Sequence, residues 1–222
     1  MSSNGNSSNS FQAHRLAMVE DQLRRRGIHD QRVLDAMSKV PRHLFVSPDR
    51  WPDAYSDHPV PIGEHQTTSQ PYIIAAMLQS AAIASGDRVL EIGAGSGYQT
   101  ALLAELSKAV FAVERHAPLV ESARRVLENL GYANATVITA DGSLGLPQYA
   151  PYDAIVVAAA APRVPPSLVE QLALGGRLVV PVGDSQTQVL HLARKHLDGS
   201  LTFSMMEGCR FVPLIGQQGF AA

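Results

Sequence analysis

The fold is decided by residues 88–98, which read RVLEIGAGSGY. The nearly continuous apolar run predicts a buried strand over Arg88–Ile92, and helical spacing resumes over Tyr98–Leu106. The glycines at alternate positions between these elements permit a tight turn and a close approach of the backbone to a ligand. A strand, a glycine turn and a helix N-terminus together predict a site for an anionic group. A plain structural turn is the alternative.

Strands and helices alternate along the rest of the chain. Apolar runs predict strands over 110–114, 136–139, 154–158 and 178–182, and helical spacing predicts helices over 118–130 and 167–174. Weaker alternation over 188–194 and 201–206 is consistent with a late antiparallel pair. Buried strands separated by helices are typical of a parallel sheet covered on both faces. The predicted fold class is therefore α/β: a Rossmann-like, mostly parallel twisted sheet with helices on both faces and an N-terminal helical extension.

The N-terminal part of the chain is different in character. Residues 1–10 are rich in Ser and Asn, which predicts a disordered tail and not a signal peptide or membrane anchor. We expect Gly27 to end a first helix and Asp30 to cap a second. The predicted organisation is one domain over 11–222. Within it, 11–70 holds the helices and an irregular substrate loop, 71–183 the cofactor-binding core, and 184–222 the C-terminal strands.

Composition narrows the classes of function. The 222 residues are 45% hydrophobic, with 18 basic and 20 acidic side chains and a formal net charge of −2, which predicts no strong affinity for nucleic acid. No apolar run reaches the roughly 18 residues of a membrane span. Cys209 is the only cysteine, so an intrachain disulfide is impossible and a cytoplasmic setting is expected. His58 and His65 lie in the loop without the spacing of metal ligands, so we expect no metal.

Polar residues follow the predicted strands where a nucleotide-binding sheet would use them. Glu114 ends the second strand and is a candidate acceptor for both ribose hydroxyls. Asp141, followed by Gly142, is a candidate acceptor for an adenine amino group. The carboxyl ends of parallel strands meet at one edge of the sheet, where open α/β sheets bind ligands.

The glycine spacing distinguishes between cofactors. A dinucleotide fingerprint has the form G-x-G-x-x-G, whereas this chain has G-x-G-x-G followed by tyrosine. That spacing is typical of class I methyltransferases, whose cofactor is S-adenosyl-L-methionine and whose product is S-adenosyl-L-homocysteine. The predicted cofactor-binding residues at the loop are Glu91, Gly93, Gly95 and Gly97.

Several longer segments resemble one family. VPRHLFV at 40–46, PIG at 61–63 followed by QTTSQP at 66–71, RVLEIGAGSGYQT at 88–100 and FVPL at 211–214 match its motifs, and the similarity extends from about residue 16 to 214. The family is protein-L-isoaspartate O-methyltransferase. Other methyltransferases share the glycine loop but not the QTTSQP or FVPL segments. Thr68, where the family often has Ile, is a small departure.

The resemblance implies a reaction and a set of residues. The family methylates the free α-carboxylate of L-isoaspartyl residues in damaged proteins and peptides, and the ester then collapses to a succinimide. By the resemblance Ser69 is the catalytic residue, Thr67 and Thr68 line the cofactor, and Pro61, Ile62, Gly63, Val212 and Pro213 form the peptide groove. A monomer acting on damaged polypeptides is expected.

Three other functions remain open from the sequence. They are methylation of a small molecule or RNA, a nicotinamide oxidoreductase, which the glycine spacing disfavours, and a cofactor-binding protein without catalysis. Two local alternatives also remain. Ser69 has the position of a helix N-cap, and the run Arg24–Arg26 is either a solvated last helical turn or a holder of acidic substrate.

Overall fold

The computed structural model describes residues 4–221, and a seven-stranded sheet forms its centre. The strands in chain order are β1 (Val60–Gly63), β2 (Gln66–Thr68), β3 (Arg88–Ile92), β4 (Ala109–Glu114), β5 (Ala135–Thr139), β6 (Tyr152–Val157), β7 (Leu172–Gly183), β8 (Gln188–Lys195) and β9 (Leu201–Cys209). The large sheet has the order β5-β4-β3-β6-β7-β8-β9, and β1 pairs with β2 in a separate hairpin. Strands β3 to β7 are parallel, whereas β8 and β9 are antiparallel. The predicted fold class and the late antiparallel pair are confirmed.

Six α-helices accompany the sheet. They are α1 (Asn4–Ala17), α2 (Gln31–Lys39), α3 (Pro71–Ala81), α4 (Tyr98–Leu106), α5 (Ala117–Asn129) and α6 (Pro166–Glu170) among the residues described. A π-helical turn, Met18–Leu23, and a 3₁₀ turn, Arg24–Arg26, continue α1 without a break as far as Gly27. Gly27 ends this helix in the left-handed conformation, with φ of 93°, as predicted. The Asp30 side chain caps α2 by accepting from the backbone N–H groups of Arg32 and Val33, also as predicted.

The two faces of the sheet are covered unequally. Alternate residues of each strand point to opposite faces, so Val89 belongs to the core cluster that includes residues of helices α2 to α5, whereas Leu90 belongs to the cluster that includes residues of α6. Among the described residues, the second face has one short helix and is completed by two 3₁₀ turns, Gly142–Leu144 and Pro147–Tyr149, and by the C-terminal segment. That segment therefore lies close to the carboxyl edge of the sheet, where a ligand would bind.

Three elements differ from the sequence prediction. The helix expected over 167–174 ends at Glu170, because Tyr152 N–H bonds to the Gln171 carbonyl and draws the following residues into β7. The segment 41–70, expected to be irregular, contains the β1–β2 hairpin and two 3₁₀ helices. Residues 4–10, expected in a disordered tail, form the first turns of α1, because each residue added to an existing helix costs far less than its nucleation. Residues 1–3 of that tail lie outside the described residues.

None of the helices within residues 4–221 is long and apolar enough to cross a lipid bilayer.

Candidate active site

Three neighbouring cavities, which share Thr67 and Ala158 as lining residues, lie at the carboxyl edge of the parallel strands. The edge cavity, about 670 Å³, is bounded by the loops after β3, β4, β5 and β6, by the β1–β2 hairpin and by the C-terminal segment. Its lining residues are Gln66, Thr67, Ile92, Gly93, Gly95, Val113, Glu114, Arg115, His116, Gly142, Ala158, Ala159, Val212, Pro213, Leu214 and Ile215. The mixture of apolar walls with a few polar groups is typical of a site for a small organic ligand.

The glycine loop is fixed by backbone hydrogen bonds to β4. The N–H groups of Gly93 and Ala94 both donate to the Val113 carbonyl, at 2.8 and 3.0 Å. Gly95 has φ of +53°, and a side chain there would lie 3.0 Å from Ile62 Cδ1. Gly93 and Gly95 line the edge cavity, whereas Gly97 begins α4 and faces Ala123 of α5, at 3.1 Å from an ideal Cβ. The first two glycines therefore offer backbone to a ligand, and the third permits close packing of a helix.

Glu114 connects the glycine loop to the next strand. Its carboxylate accepts from the Gly95 N–H at 3.0 Å through Oε2 and from the His116 N–H at 2.9 Å through Oε1. The residue is only 6% exposed and lines the edge cavity. A carboxylate oxygen accepts more than one hydrogen bond, so both oxygens retain capacity for the hydroxyls of a ligand. This placement is compatible with the predicted ribose contact.

Asp141 occupies a different position from the one predicted. Its carboxylate accepts from the N–H and hydroxyl of Ser143 and from the Gln217 N–H, and the residue does not line the edge cavity. Although partial burial favours the neutral acid, these hydrogen bonds outweigh it and lower the pKa of Asp141. Gly216 makes the contact possible, because a Cβ there would lie 2.0 Å from Asp141 Oδ1. In this structure Asp141 holds the C-terminal segment, and its neighbour Gly142 forms the cavity wall.

Glu91 also lies outside the edge cavity, beneath the glycine loop. It is fully buried, and Oε2 accepts from the Thr100 hydroxyl at 2.5 Å. Burial raises the pKa of Glu91 to about 8, although the hydrogen bond from Thr100 opposes the shift. With this pKa, Glu91 is largely protonated at neutral pH and carries no full negative charge to hold a cation. Its hydrogen bond with Thr100 instead joins β3 to α4.

Ser69 lies where the other two cavities meet. The serine cavity, about 310 Å³, includes Thr67, Thr68, Ser69 and Gln99, and it shares Gly93 and Gly95 with the edge cavity. The outer groove, about 940 Å³, also includes Thr67 and Ser69 and is bounded by residues 207–212, which form the end of β9 and the segment that follows it. The N-cap of α3 is Gln70, with no side-chain capping bond, so the interpretation of Ser69 as a helix cap is wrong.

The predicted peptide-groove residues lie in two places. Val212 lines both the edge cavity and the outer groove, and Pro213 lines the edge cavity. Pro61, Ile62 and Gly63 instead line a separate cleft beside α5, on the far side of the glycine loop. Ile62 still approaches the site, since its side chain packs over Gly95.

The arginine run divides into two parts. Arg24 and Arg25 form ion pairs with Glu20 and Asp21 one turn earlier and are exposed, as expected for a solvated helical turn. Arg26 instead pairs with Asp57, stacks over the Tyr72 ring at 3.6 Å and lines the outer groove. Only the third arginine of the run is therefore placed to contact a substrate.

Sequence reasoning assigned no role to several residues of this region. Arg42 is buried behind Ser69, Gln99 lines the serine cavity, and Ala158 lines all three cavities. Arg42 and Gln99 lie inside segments that resemble motifs of the family, and that resemblance is the sequence signal that could have indicated a role for them. Among residues 4–221, no group of three or more His, Cys, Asp or Glu side chains is arranged to hold a metal ion.

The fold and the site define a class I S-adenosylmethionine-dependent methyltransferase. The parallel sheet ends at a glycine loop, and an acidic residue follows the next strand at the wall of a cavity. A family model for protein-L-isoaspartate(D-aspartate) O-methyltransferase matches residues 14–219. The chain belongs to this family.

Similar proteins agree over nearly the whole length. A protein-L-isoaspartate O-methyltransferase of Koribacter versatilis is 54% identical over 211 residues, 95% of each chain. One from Trichlorobacter lovleyi is 53% identical over 95% of this chain and 97% of its own. A solved protein-L-isoaspartate O-methyltransferase matches with a TM-score of 0.82 and 31% identity, over 92% of this chain and 67% of its own. A Plasmodium falciparum structure, described as the same enzyme in complex with S-adenosyl-L-homocysteine, matches with a TM-score of 0.79 and 28% identity, over 90% and 98%.

Replacing Glu114 by Ala should weaken the binding of S-adenosyl-L-homocysteine by about 1–3 kcal/mol, because hydroxyls of the ligand and the Gly95 N–H lose their acceptor. Isothermal titration calorimetry measures the change directly. Glu121→Ala, which removes an exposed acid from α5, is the matched control and should bind as the wild type does. Equal affinity of the Glu114 variant and the control would contradict the contact.

Replacing Glu91 by Gln should flatten the dependence of stability on pH. The unfolded carboxyl titrates near 4.5, whereas the folded one titrates near 8. The folded wild type therefore holds a proton that the unfolded chain has released, and its free energy of unfolding falls as pH rises from about 4.5 to 8. Urea unfolding at several pH values tests this, with the exposed substitution Glu128→Gln as control. An unchanged slope in the Glu91 variant would disprove the raised pKa.

Proposed function

We propose that this chain transfers a methyl group from S-adenosyl-L-methionine to the free α-carboxylate of L-isoaspartyl residues in damaged proteins and peptides. The observation that most directly supports this proposal is the position of Ser69, which lines both the serine cavity and the outer groove. Thr67 belongs to these two cavities and to the edge cavity as well. A reacting group in the groove would therefore meet the edge cavity at residues 67–69. Membership of the isoaspartate methyltransferase family supports the choice of substrate.

The edge cavity fits the cofactor. Gly93 and Gly95 offer backbone to its amino-acid part, Glu114 offers a carboxylate to its ribose, and Gly142 with Ile92 and Val113 forms an apolar wall for its base. When bound, S-adenosyl-L-methionine supplies an electrophilic methyl group next to a positive sulfur. Asp141 does not line the edge cavity, whereas its neighbour Gly142 does, so we assign the adenine contact to the wall at Gly142.

The chain needs no general base for this reaction. A carboxyl group has a pKa near 4, so the isoaspartyl α-carboxylate is already an anion at neutral pH. The remaining task is to hold one of its oxygens in line with the methyl group and to exclude water, and such orientation contributes on the order of 7 kcal/mol or more. The Ser69 hydroxyl donates to that carboxylate, and Val212, together with Phe211, closes the groove around it. The methyl ester then cyclises to a succinimide, which opens the way to repair.

We further propose that the protein acts as a monomer in the cytoplasm, on polypeptides and not on nucleic acid or membranes. The net charge of −2 and the single, half-buried cysteine support this setting.

The central test is a paired methylation assay. Purified protein should transfer labelled methyl from S-adenosyl-L-methionine to a peptide with one L-isoaspartyl residue, and the same peptide with normal aspartate should remain unlabelled. Equal labelling of both peptides would contradict the substrate assignment, and labelling of neither would contradict the activity.

Replacing Ser69 by Ala should lower the turnover rate by roughly 10²-fold or more, since the reacting carboxylate loses the donor that orients it. Affinity for S-adenosyl-L-homocysteine should change by less than about threefold, which is under ~1 kcal/mol. Ser80→Ala, on the same helix α3, removes a hydroxyl that bonds only to the Ala76 carbonyl among the described residues and serves as control. Normal turnover with weakened cofactor binding would move Ser69 from the reaction to the cofactor site.

A further inference from the structure

Arg42 is a fully buried arginine placed directly behind Ser69. Its guanidinium donates to the Ala54 carbonyl at 2.8 Å, to the Thr68 hydroxyl at 3.2 Å and to the Ser69 carbonyl at 2.7 Å. These three acceptors are neutral. The guanidinium also lies 4.7 Å from the centre of the Tyr98 ring, whose face attracts a cation.

The charge of Arg42 has no carboxylate partner. Within residues 4–221 it forms no ion pair, and Asp57, which attracts it weakly, is itself paired with Arg26. Burial lowers the pKa of Arg42, yet an arginine side chain stays protonated in proteins. A buried charge without a counter-ion is costly. The three hydrogen bonds satisfy guanidinium N–H groups, but their acceptors carry no negative charge, so the charge of Arg42 itself stays unbalanced.

We propose that Arg42 is a positioning residue whose positive charge attracts the α-carboxylate of the isoaspartyl substrate to Ser69, an inference that rests on the function proposed above. The guanidinium touches residues 68 and 69 and does not itself line the serine cavity or the outer groove. Its influence therefore passes through the buried loop, where charges are screened much less than in water. The substrate carboxylate supplies the counter-ion that the folded chain lacks.

The same charge has a second consequence, for the cofactor. S-adenosyl-L-methionine is positively charged at sulfur, whereas S-adenosyl-L-homocysteine is neutral there. Until a substrate carboxylate is present, the positive charge of Arg42 weakens the binding of S-adenosyl-L-methionine relative to that of S-adenosyl-L-homocysteine. A residue that only shapes the loop would change the affinities for the two forms of the cofactor by the same factor.

The test compares two peptides that differ at one group. One has an L-isoaspartyl residue with its free α-carboxylate, and the other has the α-carboxamide in its place. Their dissociation constants are measured by calorimetry with S-adenosyl-L-homocysteine present, for the wild type, Arg42→Lys, Arg42→Gln and Arg42→Met. Arg125→Met, which removes an exposed arginine of α5, is the control for overall charge.

We expect the wild type, the control and Arg42→Lys to prefer the carboxylate to a similar degree. In the Gln and Met variants the preference should fall about tenfold or more, by the loss of one nearby buried charge. The ratio of affinities for the methionine and homocysteine forms of the cofactor should rise severalfold in the same two variants. Because any distortion of the loop affects both peptides, an unchanged preference in a folded neutral variant would overturn the proposal.

If both neutral variants fail to fold, Arg42→Lys decides the question from pH 6 to 10. A buried lysine loses its proton more readily than arginine, so its carboxylate preference should fall with rising pH while that of the wild type stays level. The titratable groups facing this position are Tyr55, Asp57, Tyr98 and, through Tyr55, His43, and they are the same in both proteins. A carboxylate preference that does not change with pH in either the wild type or Arg42→Lys would overturn the proposal. A wild type that methylates neither peptide in the paired assay would instead overturn the proposed function.

Discussion

The site depends on one carboxylate that joins two neighbouring loops. Glu114 is the last residue of β4, and it accepts from the Gly95 N–H of the loop after β3 and from the His116 N–H before α5. Parallel pairing brings both strand ends to one edge, but pairing alone leaves the loops beyond the strands free to vary. The Glu114 bonds, together with the two bonds to the Val113 carbonyl, fix the glycine loop relative to the strand that follows. Gly93 and Gly95 can form a wall of the edge cavity because these bonds hold the loop in place and neither residue has a side chain to fill the space.

The sequence predicts well those helices and strands whose pattern of apolar residues is determined by burial alone. Strand β3 and helix α4 have the predicted bounds, because each lies in the core and most of its buried side chains are apolar. Asp30 and Gly27 were also predictable, since a cap acts on residues two or three positions away. The prediction failed where the decisive contact came from a distant residue. Strand β7 begins at Leu172 because β6 pairs with it, and no local pattern in 167–174 contains that information.

The β1–β2 hairpin and the position of Asp141 differ from the sequence prediction for physical reasons of the same kind. The β1–β2 turn places Glu64 and His65 at φ of 50° and 55°, a left-handed conformation for which glycine or asparagine is the usual indication. A sequence method that looks for those residues finds none. Asp141 follows a strand as a ligand-binding acid would, but the C-terminal segment reaches it from 76 positions further along the chain. Ser69 was identified by resemblance alone, and its place between two cavities became visible only when β2 and the end of β9 were both positioned.

The distribution of charge around the site follows the needs of the reaction. Carboxyl methylation brings an anion and a cation together and removes both charges as the new bond forms, so the transition state is less charged than the bound reactants. Strong donors on the carboxylate would stabilise the reactants more than the transition state and would slow the step. The chain places its full positive charge behind the Ser69 carbonyl and leaves a neutral hydroxyl at the front. In the function proposed above, Arg42 attracts the anion from a distance, and the Ser69 hydroxyl is the one donor proposed for its reacting oxygen. The buried position of Arg42, which is costly to the fold, would thereby separate recruitment of the anion from its reaction.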